Sequence, residues 1–511
     1  MISRLSKNIL YNLAGQGTIL ILGAGAAKFM FSRLGEEGLG LIYFAVMLSA
    51  VIVAVLDLGI GATTVREVSS NHLSKPVYVR DLVRTAGLFY WSAYGLIALA
   101  TYLATPFLVK GWIHLKVIDP EVAIRALRIL LIAALLSLPR SLYTSILRGL
   151  QRMEFNNLVD ALAIALQQIG IILILYLGGN LFHVVYWFAG VACLAMLGYL
   201  FFVAVFFSPA ILVPGYSGEV VRQNLGYSSR MMAISLLSMV HSQADKVIVS
   251  KLLPVGLLGV YMFSSSMANR MSLLTGAIAQ GVFPSFSALF AGGNTKALKL
   301  QYVKFQDLVC FGTLPLFAAL SFGARPVLAY LFNPDLAHKL LLPVILLSVG
   351  FYMNGTLTIP YMLSLAVGKP GIAARLNFYA IFTVLPVTLA CVYWGGLVGA
   401  GFSWVFYNLF AYYYGVPRIC SECLGMKPRV WYYHVLRIFL LAGATYGLAL
   451  VAAHFFFERS VVALAVGYAA ASAVFLAASY AWIGTDLRET ILRHLSLVRG
   501  KSMSALTVNR R

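Results

Sequence analysis

Residues 9–32 read ILYNLAGQGTILILGAGAAKFMFS, and residues 39–62 read LGLIYFAVMLSAVIVAVLDLGIGA. Each run carries a single charged residue, Lys28 in the first and Asp57 in the second. As helices they would each reach about 36 Å, enough to cross a hydrocarbon core of ~30 Å. The same texture recurs to the end of the chain. Spans are expected at approximately 9–32, 39–62, 82–108, 124–147, 158–178, 182–207, 226–250, 257–285, 305–324, 340–366, 372–394, 396–417, 431–456 and 460–483. The pair within 372–417 is separated by little more than Gly395. Of 511 residues, 61% are hydrophobic and 11% charged, and the mean hydropathy is +0.86. Soluble domains carry roughly 25% charged residues, and their single cores stop growing near ~250–300 residues. Secreted, disordered and collagen-like classes are excluded, and five cysteines exclude a disulfide scaffold. The expected fold is an all-α polytopic membrane protein of about 14 transmembrane helices.

The formal charge of +21 would suggest nucleic acid in a soluble protein. Here its distribution matters more. An even span count puts both termini on one side. With that side cytoplasmic, 23 basic residues fall in inner segments, from Arg4 and Lys7 to the 484–511 tail, and eight in outer ones. This is the positive-inside asymmetry, so most of the charge sets topology and no nucleic-acid partner is expected. Arg4, Lys7 and Ala24-Gly25-Ala26 loosely imitate a signal peptide, but the run is long enough to span and fits a retained helix.

An internal repeat is visible. Lys28-Phe-Met-Phe-Ser-Arg33 matches Lys246-Val-Ile-Val-Ser-Lys251 in residue type, at the outer ends of the first and seventh spans. Downstream, Gly38-Leu-Gly-Leu41 faces Leu257-Leu-Gly-Val260 with a one-residue shift, and Phe44 then faces Phe263. The offset equals six helices, so the copies run in the same direction, as in transporters built from parallel repeats. The expected organisation is an N-lobe at 1–207, a cytoplasmic linker at 208–225 and a C-lobe at 226–420. Two extra helices follow at 421–483, with a basic tail at 484–511.

With residues in the first turn of a span counted in its flanking segment, seven basic residues are left within spans: Lys28, Arg128, Arg140, Arg230, Lys246, Arg270 and Arg437. A charge near the bilayer centre costs at least ~2.5–3.5 kcal/mol, so it faces a bundle interior or an aqueous cavity unless it can snorkel to the interface. Ala14, Gly17, Ile21, Ala24 and Gly25 share a face with Lys28 and leave it room. Two readings stay open: a small-residue helix contact with Lys28 reaching the outer interface, or a cation lining a cavity. As a repeat partner, Lys246 would stand opposite Lys28, and two such cations suit a doubly charged anion such as a pyrophosphate. Arg270 adds a planar fork for phosphate oxygens, or else an ion pair, perhaps with Asp245. Arg230, near the inner end of its span, is a fourth candidate. The acids counted within spans are Asp57, Asp160 and Asp245. Interface solvation suffices for Asp57 and Asp160. Asp245 points about 100° away from Lys246 on a helix, so the two need not pair. Asp57 and Asp245 are the candidates for ion coupling.

Enzyme readings fail on the residues. There is no G-x-x-x-x-G-K-[ST] phosphate loop, and Gly23-Ala-Gly25 lies in a membrane helix with no preceding strand. Cys420-Ser-Glu-Cys423 lacks a second ligand pair for zinc, so no metal site is expected. His241 is the one deep histidine and is read as packing, and Asn354-Gly-Thr356 lies inside a span. The longest outer loop, roughly 109–123, is too short for a domain. Transport remains, without a cofactor.

Arg33-Leu-Gly-Glu-Glu-Gly-Leu-Gly40, a span ending Leu56-Asp-Leu-Gly-Ile-Gly61, Leu147-Arg-Gly-Leu-Gln-Arg152, and Asp245 with Gly259-Val-Tyr261 together resemble polysaccharide-biosynthesis flippases. These belong to the multidrug/oligosaccharidyl-lipid/polysaccharide exporter superfamily, and the resemblance covers roughly residues 5–420. It implies two six-helix lobes and alternating access. It also implies flipping of an undecaprenyl-pyrophosphate-linked oligosaccharide, in the lipopolysaccharide O-antigen or exopolysaccharide manner, from the cytoplasmic to the periplasmic leaflet of the bacterial inner membrane. The implied partners are that lipid-linked substrate, membrane lipids and a polysaccharide polymerase, with energy from an ion gradient. A multidrug exporter of the same fold would be expected to hold more buried acids than bases, against seven bases and three acids here. A peptidoglycan-precursor flippase has the same electrostatics.

Reporter fusions test the topology. Fusions after Lys299 and after Arg499 should report cytoplasm, and fusions near Lys116 and Arg459 should report periplasm. A periplasmic C-terminus would overturn the even count.

Overall fold

A computed structural model describes residues 2–57, 59–456, 460–483 and 488. The expected tail at 484–511, Arg488 apart, lies outside the described residues, as does Arg459. In chain order the helices are α1 Ile2–Leu56, α2 Ile60–Asn71, α3 Pro76–Phe107, α4 Pro120–Leu135, α5 Ser137–Gly149 and α6 Met153–Tyr176. Then come α7 Leu181–Phe206, α8 Gly218–Leu252, α9 Val255–Met271, α10 Leu273–Ala291, α11 Thr295–Leu331 and α12 Pro334–Ala366. The last four are α13 Gly371–Ile419, α14 Pro428–Ala442, α15 Leu448–Phe456 and α16 Val461–Trp482. Among the described residues there is no strand, only an isolated bridge between His114 and Pro254. Four helices begin on a proline, whose missing N–H is one that a first turn leaves unbonded anyway. Asp119 and Asn180 cap α4 and α7 through their side-chain oxygens.

Among the described residues ten helices are long and apolar enough to cross a membrane, eleven if Val255–Gly276 and Gly281–Ala291, bent by 41°, form one span. Two of them, Gly17–Leu56 and Gly371–Leu424, run 40 and 54 residues. That is about 60 and 80 Å of helix against ~30 Å of hydrocarbon. In both, the sequence reading placed two spans. Each is two helices that meet at a kink on one non-helical glycine, which agrees with the two spans. Gly35 sits at φ 74, ψ 178 and Gly396 at φ 54, ψ −129, conformations that a side chain at Cβ opposes. The span expected at 257–285 is interrupted instead, at Ser272, between α9 and α10.

The chain packs as two compact units. The first is Met1–Ser264 with Tyr330–Asn333 and Ile381–Ala400; the second is Ser265–Ala329, Pro334–Ala380 and Gly401–Arg511. In the first, Leu142, Ile146 and Leu147 of α5 meet Tyr90 of α3 and Tyr199 of α7, all buried. In the second, Phe286, Tyr302 and Trp431 anchor one core, and Phe311, Tyr352 and Phe475 another.

Lipid is as apolar as leucine, so helices here gain from close packing more than from removal of water. The motif glycines serve that need. A Cβ on Gly40 of α1 would collide with the Val255 carbonyl, and one on Gly259 of α9 would come within 2.8 Å of the Gly40 nitrogen. Gly40 and Gly259 are the residues that the sequence reading aligns, and α1 and α9 approach each other there. Gly149, in the 147–152 motif, lets α5 close on Val68 of α2. Gln151 then takes φ 58, turning the chain so that the Arg152 N–H reaches the Leu147 carbonyl at 2.8 Å.

Gly40→Ala should therefore drive α1 and α9 apart. Gly23→Ala, where a Cβ meets nothing within 4 Å, should not. Thermal unfolding in detergent should show a lower midpoint for the first variant only; equal midpoints would refute the contact.

Candidate functional site

Lys28 lies half-buried on α1, its Nζ 3.2 Å from the centroid of the Tyr330 ring. A cation over an aromatic face is stabilised by the ring quadrupole, and more so away from water. Tyr330 is 71% exposed, so the half-buried ammonium rests on a ring at the protein's surface. Phe332, two residues on, packs edge-on against Phe31 and Phe263.

Lys246, on α8, has a different environment. Its Nζ donates to the Ser242 carbonyl at 2.6 Å and lies 3.4 Å from Asp245 Oδ1. The two side chains are 17% and 10% exposed. The 100° offset between neighbours on a helix does not keep them apart, because the four-carbon stem folds back over its own turn. Asp245 Oδ2 also accepts the Tyr261 hydroxyl at 2.7 Å. Helices α1 and α8 pack together within the first unit. Arg270 belongs to the second unit, in the last turn of α9 beside the break at Ser272 rather than mid-helix, where a cation also meets the helix dipole favourably. Arg230 is on α8, and its side chain lies outside the described residues. His241 is half-buried on the same helix.

The in-span acids share a feature that the sequence did not reveal. Asp57, in the break between α1 and α2, accepts the Tyr90 hydroxyl at 2.5 Å. Asp160 accepts Tyr199 at 2.9 Å, and Asp245 accepts Tyr261. The three tyrosines are 0–1% exposed. Each carboxylate thus has a neutral hydroxyl donor, and Asp245 has Lys246 besides. A fourth in-span acid, Asp307, escaped the sequence count although it falls in the 305–324 span; it lies 3.2 Å from His434. The tyrosines are 16 to 39 residues away from their acids, beyond any local motif.

Glu37, part of the 33–40 motif but not a predicted site, is 8% exposed. Its carboxylate accepts three successive backbone N–H groups, from Lys116 at 2.5 Å, Val117 at 3.0 Å and Ile118 at 2.8 Å. The segment 116–118 is thereby fixed to α1. On α2, Arg66 pairs with Glu67 at 2.6 Å, reaches Asn224 Oδ1 at 3.3 Å and covers the Tyr227 ring, while Thr63 and Ser228 meet at 2.7 Å. These bonds fasten α2 to α8. Among the described residues no group of three or more His, Cys, Asp or Glu is placed to hold a metal.

A helical membrane bundle of this kind is the fold of MOP-superfamily transporters. A multidrug resistance MATE family transporter of that superfamily, inward-facing, superposes with a TM-score of 0.66 at 16% identity, over 79% of this chain and 95% of its own. The lipid II flippase MurJ in an inward closed conformation gives 0.67 at 14% identity, over 91% and 98%. The sequence model of a family described as polysaccharide biosynthesis protein matches residues 32–335, more than half of the chain, and the chain belongs to that family. An uncharacterized membrane protein in the cps region of Klebsiella pneumoniae is 21% identical over 210 residues, 40% of this chain. That match spans 42% of the relative's length. The resemblance carried by the 33–40 and 147–152 motifs holds, and the protein is a multi-pass membrane protein of the transporter type.

Tyr261→Phe keeps the ring and removes the donor. A hydrogen bond to a charged buried group contributes about 1.5–3 kcal/mol, so the detergent melting midpoint should fall clearly. Tyr330→Phe should leave it unchanged, since the ring under Lys28 is kept. An unaltered midpoint for Tyr261→Phe would show that Lys246 alone holds Asp245.

Proposed function

We propose that the protein flips a polyprenyl-pyrophosphate-linked oligosaccharide from the cytoplasmic to the periplasmic leaflet of the bacterial inner membrane by alternating access, with both termini cytoplasmic. It acts as a transporter and not as an enzyme, and hands its cargo to a polysaccharide polymerase. Lys28, Lys246, Arg270 and Arg230 supply the positive potential for the diphosphate, while the polyprenyl tail stays in the bilayer. The observation that carries this reading is Lys28, an ammonium at membrane depth resting on an aromatic ring that a phosphate oxygen can displace. Membership of the polysaccharide biosynthesis family supports the glycan as cargo over a drug cation.

The Asp245–Lys246 pair supports coupling to an ion gradient. While Asp245 is charged it competes with the diphosphate for Lys246. A proton or cation taken up by Asp245 removes that competition and leaves Lys246 to the substrate, so ion and substrate occupancy become linked. Asp57, held by Tyr90 alone of the polar side chains named above, is a second place where the same exchange can occur.

Lys28→Met and Lys246→Met retain volume and remove charge. Each should lower glycan export by about tenfold or more, the scale of one charge-assisted hydrogen bond, at unchanged expression. Lys→Arg at either position should retain more activity than Met, because potential matters before geometry. Normal export by both Met variants would sink the assignment. Loss of cationic-dye efflux with intact glycan export would favour the drug-exporter alternative.

A further inference from the structure

Arg325 is a cation outside the set assigned to the diphosphate. It lies half-buried near the end of α11 that the charge bias makes periplasmic. Among the described residues no hydrogen bond, ion pair or ring contact holds its guanidinium. Other cations of the spans are held. The Arg128 guanidinium donates to the Tyr102 carbonyl at 3.2 Å and lies 4.1 Å from that ring's centroid. Arg437 lies 5.3 and 5.2 Å from the Tyr433 and Trp482 rings. Arg325 instead borders a cavity of about 200 Å³ within the second unit. Phe322 of α11, Ile345 of α12, Leu450 of α15 and Leu464 of α16 stand in its walls. Ser321 lines it too, but its hydroxyl already donates to the Phe317 carbonyl at 3.3 Å. Arg325 is about 9 Å from the end of α11, and Ile345 about 16 Å from the start of α12, at ~1.5 Å per residue. The cavity therefore carries its charge near the membrane surface and turns apolar with depth.

An apolar cavity at membrane depth takes hydrocarbon, because water inside it would find no partners. A guanidinium at its edge without a protein partner calls for an anion. One molecule meets both demands: a lipid whose chain enters the cavity while its phosphate oxygens meet the planar fork of the arginine. We propose that this cavity holds one chain of an anionic glycerophospholipid of the bilayer, with its phosphodiester on Arg325. A phosphodiester carries one negative charge, which one guanidinium matches. A zwitterionic headgroup brings its own ammonium to its phosphate and gains less. A diphosphate carries more charge than one arginine balances, so the occupant is a resident lipid and not the transported one. The site stands independently of the flippase reading. Since its walls come from α11, α12, α15 and α16, the lipid would brace the last two helices against the rest of the second unit.

The experiment uses full-length protein, delipidated in detergent and titrated with phosphatidylglycerol, phosphatidylcholine or undecaprenyl pyrophosphate, with bound lipid counted by native mass spectrometry. Wild type should bind one phosphatidylglycerol about tenfold more tightly than phosphatidylcholine, the scale of one charge-assisted contact. That lipid should also raise the melting midpoint more than phosphatidylcholine does. Arg325→Met, which keeps length and removes charge, should abolish both differences and leave undecaprenyl pyrophosphate binding within about twofold. Arg325→Lys should retain most of the preference, because it keeps the charge. Ile345→Trp, which fills the cavity, should remove the tight phosphatidylglycerol with Arg325 still in place. Lys116→Met, at an exposed cation elsewhere, should change nothing. Melting curves report whether each variant is folded. Equal binding of the two phospholipids by wild type overturns the site, and so does a folded Arg325→Met protein that keeps the preference. If Arg325→Met weakens undecaprenyl pyrophosphate tenfold instead, the cavity belongs to the transported lipid and the resident one is refuted.

Discussion

A polar group carried into a bilayer must find its partner within the chain, because the solvent offers none. Most of what is distinctive here follows from that constraint. Asp57, Asp160 and Asp245 are each met by a buried tyrosine hydroxyl. Lys246 takes its own helix carbonyl and the neighbouring carboxylate, and Lys28 takes an aromatic face. The partners differ in kind. The carboxylates take directed hydrogen bonds from buried hydroxyls, while the Lys28 ammonium rests on the face of an exposed ring, a contact without a fixed direction.

The membrane class and the helical fold were legible in the sequence, because a bilayer imposes length and apolarity on every span. The glycines of the repeat motif were legible too, and Gly40 and Gly259 serve a close approach of α1 and α9 that a side chain at either would block. The division of 9–62 and of 372–417 into two spans agrees with the kinks at Gly35 and Gly396, but hydropathy cannot tell a loop from a junction at one glycine of positive φ. The span at 257–285 reads as continuous because the break at Ser272 costs little hydrophobicity.

The candidate charges were legible in the sequence, and their partners were not. Lys28, Lys246 and Arg270 stand out because a cation in an apolar run is rare. Tyrosine is common in this chain, so its pairing with a distant acid leaves no local signal. Lys246 also shows where spacing misleads: a rule about directions from Cα says little about a side chain long enough to bend back to its neighbour. Glu37 lay in plain view inside the 33–40 motif. Three consecutive N–H groups of an outer loop converge on it, and nothing in the loop's own sequence announces that convergence.

The single-glycine junctions at Gly35 and Gly396 bear on how closely the arms beside them are coupled. Helices that meet at one residue have no slack between them, so a shift of one arm is passed directly to the next. Arg33, Glu36 and Glu37 flank the first junction, whereas the second is flanked by Tyr393, Trp394 and Leu397 and bears no charge. The first junction is therefore held to water by its charges, while the second can sink into hydrocarbon without stranding one.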